Sequence, residues 1–194
     1  MAFNEDTRVK IPAILTLTRL GYKYLSLKDR NDIDPQTNIF KDIFFEAIRS
    51  LNPDADENNL QKYFNKLRIM LDNDDLGKEF YNNLIGPSEL KLIDWDNIRR
   101  NKLHVCTELT YGSKDDDNFR PDITILINGM PLAFIEVKKP NNREGILAER
   151  DRINTRFKNR KFRRFINILQ ILMFSNNMRY DEEDVTPIQG AFYA

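Results

Sequence analysis

Apolar residues recur at three- and four-residue spacing through the first half of the chain. Ile11, Ile14, Leu15 and Leu17 flank Pro12, which suits a first helical turn, and Gly21 suits a C-terminal cap. The spacing therefore predicts a helix over roughly 10–20, followed by the alternating run Tyr22-Lys23-Tyr24-Leu25-Ser26-Leu27 as a strand. Ile39, Phe40, Ile43, Phe44, Ala47, Ile48 and Leu51 mark a second helix, stopped by Asn52-Pro53. Leu60, Tyr63, Phe64, Leu67, Met70 and Leu71 mark a third. Leu76, Phe80, Leu84 and Ile85 mark a fourth, ended by Gly86-Pro87. Aromatics at such spacing are core packing.

From about residue 89 the period changes to two. Residues 90–93, 103–109, 123–127 and 132–137 are expected as strands, with a charged helix over about 144–158 and a helical turn near 161–167. The apolar run Ile168 to Phe174 is expected as a buried strand, and 188–193 as one more. Residues 114–118, Lys-Asp-Asp-Asp-Asn, form an acidic loop. The expected fold class is α/β in a single domain, with a helical part over about 1–88 and a part with sheet and helices over about 89–194.

Chemistry concentrates in one hairpin. Arg120-Pro121-Asp122 leads into an apolar strand, Asn128-Gly129 turns the chain, and a second apolar strand ends in Glu136-Val137-Lys138. Charged groups inside a buried strand are costly unless paired or bound to a metal. Period-two alternation puts Glu136 and Lys138 on one face and Val137 on the other. A two-residue loop at Asn128-Gly129 would pair Asp122 with Ile135 and keep the carboxylates apart. A three-residue loop, Ile127-Asn128-Gly129, would put Asp122 opposite Phe134 and diagonally beside Glu136, on a face distinct from the apolar set Ile123, Ile125, Ile127, Ala133, Ile135 and Val137. Two carboxylates without His or Cys select a hard cation, Mg²⁺ or Mn²⁺. Such an ion activates water and offsets charge on a phosphate oxygen, while a lysine two residues along positions the water or the developing charge.

Composition narrows the alternatives. The 194 residues are 41% hydrophobic and 31% charged with 7 Gly and 8 Pro, the profile of a folded globular chain. Nothing resembles a membrane span or a signal peptide, so a cytoplasmic protein without membrane contact is expected. One Cys (Cys106) and one His (His104) cannot build a zinc site, no serine sits in a Gly-x-Ser-x-Gly elbow, and the glycine-rich nucleotide loops are missing. The net charge of zero hides an asymmetry. Residues 1–118 hold 17 Lys/Arg against 21 Asp/Glu, whereas 119–164 hold 12 against 5. On the helix over 144–158, Glu149, Arg152 and Arg156 share a face, and Lys158, Arg160, Lys161, Arg163 and Arg164 extend the positive surface. Alone such a run is a solvated helix face; directly after a strand equipped for phosphodiester hydrolysis, Arg152 and Arg156 become the candidate phosphate contacts.

The segment Phe119 to Lys138, with its Asn-Gly-x-Pro-Leu turn, resembles the PD-(D/E)xK nuclease core, and more narrowly the amino-terminal nuclease domain of the R subunit of type I restriction enzymes. The likeness extends to Leu20-Gly21-Tyr22 and to Phe174-Ser175-Asn176-Asn177. It implies a restriction-endonuclease-like sheet flanked by helices, Asp122 and Glu136 as Mg²⁺ ligands together with the Val137 carbonyl, and Lys138 as the catalytic lysine. It further implies double-stranded DNA as substrate, cut without being read, and methyltransferase and specificity subunits as partners. A C-terminal translocase, the part that would use ATP, is expected in a longer chain. Two departures stand out. The stretch Arg150 to Phe157 lacks the Gln-x-x-x-Tyr pair often found in relatives, and Glu5 precedes the first helix, where many relatives carry a glutamate inside it. Two readings compete with this one: a non-catalytic docking module, and a repair or recombination nuclease of the same superfamily.

Overall fold

A computed structural model of the chain describes residues 9–112, 119–138, 143–175 and 192–193. Six strands form one mixed sheet in sequence order: β1 (Lys23–Tyr24), β2 (Leu103–Thr107), β3 (Ile123–Ile127), β4 (Met130–Val137), β5 (Ile171–Ser175) and β6 (Phe192–Tyr193). β1 runs parallel to β2 and β4 parallel to β5, while the other neighbours are antiparallel. The helices are α1 (Ile11–Arg19), α2 (Lys41–Leu51), α3 (Glu57–Met70), α4 (Lys78–Ile85), α5 (Arg143–Phe157) and α6 (Arg163–Ile168). All four helices expected in the first half are present. Pro12 lies in the first turn of α1, and the Asp56 carboxylate caps α3 by accepting from the Asn59 N–H at 2.7 Å.

Three hydrophobic clusters tie these elements together. Ala13, Ile14 and Leu17 of α1 cover Val105, Ile123 and Val137 on one face of the sheet. Ile153 of α5 and Phe165 of α6 cover Cys106, Leu126, Phe134 and Phe174 on the other. The largest cluster gathers α2, α3 and α4, through Phe44, Ile48, Phe64, Leu67 and Phe80, against Met130 and Leu132 at the turn end of the β3–β4 hairpin. Both faces of the hairpin are therefore core, which is why its strands are nearly continuous apolar runs.

The turn is two residues long, not three. Ile127 pairs with Met130, and Asn128 and Gly129 have φ of 51° and 79°, the left-handed pair of a type I′ turn. Such a turn alone would leave Asp122 and Glu136 on opposite faces. A bulge corrects this. The ladder shifts between Leu126↔Pro131 and Ile125↔Ala133, so Leu132 is an extra residue on β4, next to a proline that has no N–H for the ladder. Beyond the bulge Thr124 faces Phe134 and Ile123 faces Ile135, a register that sets Asp122 directly across from Glu136.

The expected strand over 90–93 is instead irregular chain. Its backbone is held by side-chain amides: Lys91 N–H donates to Asn52 Oδ1 at 2.8 Å, and the Leu92 carbonyl accepts from Asn128 at 2.8 Å. The strand expected over 22–27 shortens to Lys23–Tyr24, and Ile168 closes α6 before β5 begins. The acidic loop at 114–118 and most of 188–193 lie outside the described residues.

The turn is itself buried. Asn128 is fully buried, and a Cβ on Gly129 would sit 2.7 Å from the Phe40 carbonyl oxygen and 2.8 Å from the Phe44 nitrogen. Gly129→Ala combines that clash with a left-handed backbone, which costs an L-residue about 1–2 kcal/mol by itself. It is expected to lower unfolding free energy by more than that amount, read from the urea midpoint, and an unchanged midpoint would contradict the buried turn.

Candidate active site

The bulge and the end of β4 bring three charged side chains to one spot. Asp122, just ahead of β3, turns its Oδ2 onto the Val137 N–H at 2.9 Å, so one carboxylate oxygen is spent fixing the hairpin. Its Oδ1 lies 3.8 Å from the Lys10 ammonium, which also donates to Glu108 at 2.9 Å. Glu108 in turn faces Arg120 at 3.5 Å and has a left-handed φ of 59°. Across the hairpin, Glu136 is 8% exposed. Its Oε1 accepts from Lys138 at 3.2 Å, while its Oε2 is buried with no hydrogen-bond partner among the described residues.

That orphan oxygen is costly, and its cost shows in the titration. Burial first, and then the negative charge of Asp122, pushes the Glu136 carboxyl up to about 7, against the pull of Lys138 and with a further push from Glu149. Lys138 moves the other way from what burial alone dictates. Burial lowers its pKa, but the charges of Glu136 and Glu149 outweigh this and raise it. A buried carboxylate oxygen without a partner beside a second carboxylate suits an added positive charge. Among the described residues no group of three or more His, Cys, Asp or Glu side chains is gathered to hold an ion. A cation here would rest on two carboxylates completed by backbone oxygen and water, the coordination hard divalent ions accept.

Glu149 stands in this site although its sequence position gave it no catalytic part. It is 4% exposed, and its Oε2 lies 3.3 Å from Lys138 and 3.0 Å from Arg152. The spacing of Glu149 to Arg152 on one helix face is local and legible, but contact with a lysine on another element is not. Lys10 and Glu108, 98 residues apart, were missed for the same reason.

Residues 2–181 match the model of the family described as type I restriction enzyme R protein N terminus. The chain belongs to that family. A protein of Methanocaldococcus jannaschii named type I restriction enzyme MjaIXP endonuclease subunit is 33% identical over 167 residues, covering 73% of this chain and 16% of the relative. A second from the same organism, named type I restriction enzyme MjaVIIIP endonuclease subunit, is 36% identical over 102 residues, covering 52% of this chain and 9% of the relative. The chain thus spans less than a fifth of the length of either relative.

In this R-protein N-terminal region the two arginines expected on DNA part company. Arg152 is 66% exposed at its side chain while holding Glu149. The Arg156 guanidinium lies 4.3 Å from the Phe119 ring centroid, and its Nη1 is buried without a hydrogen-bond partner among the described residues. It packs inward as a cation over an aromatic face. Farther along, Arg163 pairs with Asp74 at 3.2 Å and Arg164 with Asp72 at 3.3 Å. Cys106 is fully buried, with its thiol pushed up to about 12 by burial, so it remains protonated and is no nucleophile at neutral pH. Burial, with help from Lys23 and Lys102, lowers the pKa of His104 and keeps the ring neutral. No helix among the described residues is long and apolar enough to cross a membrane.

A folded-state pKa near 7 above an ordinary value of 4.5 fixes the sign of the pH dependence. The folded state binds the extra proton, so the stability from Glu136 is fully present below about pH 4.5 and is lost as pH rises through 7. Glu136→Gln is expected to remove this loss, raising unfolding free energy at pH 8 relative to wild type by on the order of 1–3 kcal/mol. Equal wild-type and variant denaturation curves at pH 8 would contradict the burial of an uncompensated carboxylate.

Proposed function

We propose that this chain is the DNA-cleaving region of a type I restriction enzyme R protein, a Mg²⁺-dependent endonuclease of the PD-(D/E)xK kind, with Mn²⁺ as an alternative ion. The observation that carries the reading is the juxtaposition of Asp122 and Glu136 across the hairpin, with an orphaned carboxylate oxygen and the Lys138 ammonium 3.2 Å from Glu136. Family membership and the endonuclease names of the relatives support it.

The roles follow from the chemistry of the groups. Asp122 and Glu136 would supply carboxylate oxygens to the cation, and the carbonyl of Val137, the residue between Glu136 and Lys138, would supply a further one. When bound, Mg²⁺ lowers the pKa of a coordinated water and offsets charge on the scissile phosphate. Lys138, a persistent positive charge at the same face, orients the attacking water and stabilises charge on the phosphoryl oxygen as it develops. The Val137 N–H holds Asp122 at its station, so that the two carboxylates converge before any ion arrives. DNA is held through phosphates by Arg152 and by the exposed neighbours Lys158 and Arg160. Arg156, stacked on Phe119, is left to structure. Double-stranded DNA is the substrate, ATP serves a translocase in the longer protein, methyltransferase and specificity subunits are the partners, and the cytoplasm is the compartment.

Alanine at Asp122, Glu136 or Lys138 is expected to reduce cleavage by the assembled enzyme by about 100-fold or more while leaving ATP hydrolysis intact. Calorimetry on the purified chain is expected to show Mg²⁺ or Mn²⁺ uptake that disappears in Asp122→Ala and Glu136→Ala. Uptake independent of both carboxylates, or cleavage retained in any of the three variants, refutes the corresponding role and favours a docking module.

The DNA reading has its own measurement. Arg152→Ala is expected to flatten the log–log dependence of DNA affinity on salt by roughly one unit, the value of one lost phosphate contact. Arg156→Ala is expected to leave the slope unchanged and to lower thermal stability instead. The reverse pattern would overturn the division of labour between the two.

A further inference from the structure

Beyond the three residues at the hairpin, the site contains a fourth charged group whose position is harder to explain as packing. Glu149 sits on α5, the helix that covers one face of the sheet, and is almost completely buried at 4% exposure. A carboxylate there loses most of its hydration, a cost that a solvated helix face does not incur. Among the described residues its two ion-pair partners are cations. Lys138 lies 3.3 Å from Oε2, and Arg152 lies 3.0 Å from Oε2 and 3.3 Å from Oε1. Charges therefore alternate along a chain of four side chains, Glu136, Lys138, Glu149 and Arg152, that leads from the buried carboxylate site to the protein surface.

Lysine has a long, flexible stem, and fixing it costs rotamer entropy. In the free site two carboxylates share that task. Glu136 has a second demand on it under the reading given above, because a cation engaged by its oxygens weakens its pull on Lys138. Glu149 has no such competing demand, since among the described residues no three His, Cys, Asp or Glu side chains are gathered to hold an ion. We propose that Glu149 is a positioning residue that keeps the Lys138 ammonium at the carboxylate site when Glu136 is engaged, and that Arg152 holds Glu149 in that task from the surface side. The proposal rests on the assignment of Lys138 to the reacting centre and gives Arg152 a second task beside phosphate contact. It also supplies a local physical reason for the departure of this helix from the Gln-x-x-x-Tyr pattern: the helix reaches the lysine through a carboxylate.

The test reads the lysine directly. In the purified chain with ¹⁵N-labelled lysine, the Nζ resonance of Lys138, identified by its loss in Lys138→Ala, is expected to show slowed proton exchange that survives addition of Mg²⁺. In Glu149→Gln that protection is expected to collapse on Mg²⁺ addition, while cation affinity by calorimetry changes by less than about 3-fold. Cleavage by the assembled enzyme is expected to fall about 10- to 100-fold in kcat with KM for DNA unchanged, the usual range for removing a supporting partner. Glu149→Asp, which keeps the charge but shortens the reach, is expected to restore part of the protection and serves if the glutamine variant folds poorly. Protection of Lys138 that persists in both variants overturns the proposal. So does a loss of cation affinity in Glu149→Gln as large as in Asp122→Ala, because Glu149 would then be a ligand. Failure of the underlying nuclease reading looks different: Asp122→Ala would then bind the cation as wild type does.

Discussion

The register of one hairpin governs this molecule. A tight Asn128-Gly129 turn commits the β3–β4 pair to one alignment, and that alignment alone would point Asp122 and Glu136 to opposite sides of the sheet. Inserting Leu132 as an unpaired residue shifts the second half of the ladder by one position and puts the two carboxylates face to face. Pro131, which has no N–H to lose, marks where the ladder is interrupted at low cost. Asp122, Glu136 and Lys138 lie beyond this shift, and the buried turn lies before it.

The anchoring is achieved by burying the turn, an uncommon place for core. Asn128 spends its amide on Leu92, Asn101 and Lys102, and Gly129 lies against the start of α2. Satisfying each polar group of a buried turn requires partners from distant segments, and the irregular chain around residues 90–101 supplies them. The α2–α4 layer thus holds the turn end rigid. The turn leads through two short strands to Asp122, six residues before Asn128, and Glu136, seven after Gly129, where α1 and α5 close the two faces.

Electrostatically the site is strained by its own residues. Glu136 and Asp122 repel each other in a poorly hydrated place, Lys138 offsets only part of this, and Glu149 adds negative charge while tying the lysine down. Burial and the Asp122 charge push the Glu136 carboxyl up to about 7, so the site disfavours its charged form. The arrangement costs folding stability at neutral pH, and such local cost at a converging set of charged groups is where function is found.

Much of this was legible in the chain itself. The helices α1 to α5, the hairpin and the three residues Asp122, Glu136 and Lys138 all follow from local pattern, because helical and strand periods, a type I′ turn dipeptide and an apolar strand ended by charges are local statements. The run at 90–93 shows the limit: its apolar residues look like a strand, but whether such a segment joins a sheet depends on which neighbour offers a free edge. The bulge could not be read, since a one-residue shift leaves no mark in composition, and neither turn length considered from sequence contained it. Glu149, Lys10 and Glu108 could not be found either, because their meaning lies in partners that the fold brings from other elements. The fate of Arg152 and Arg156 was likewise decided in three dimensions: one helix face presents both, but only one of them meets an aromatic ring supplied by a segment 37 residues earlier. Sequence determined which groups exist and on what element each rides. Tertiary structure decided which of them meet, because contact depends on register and packing summed over the whole chain.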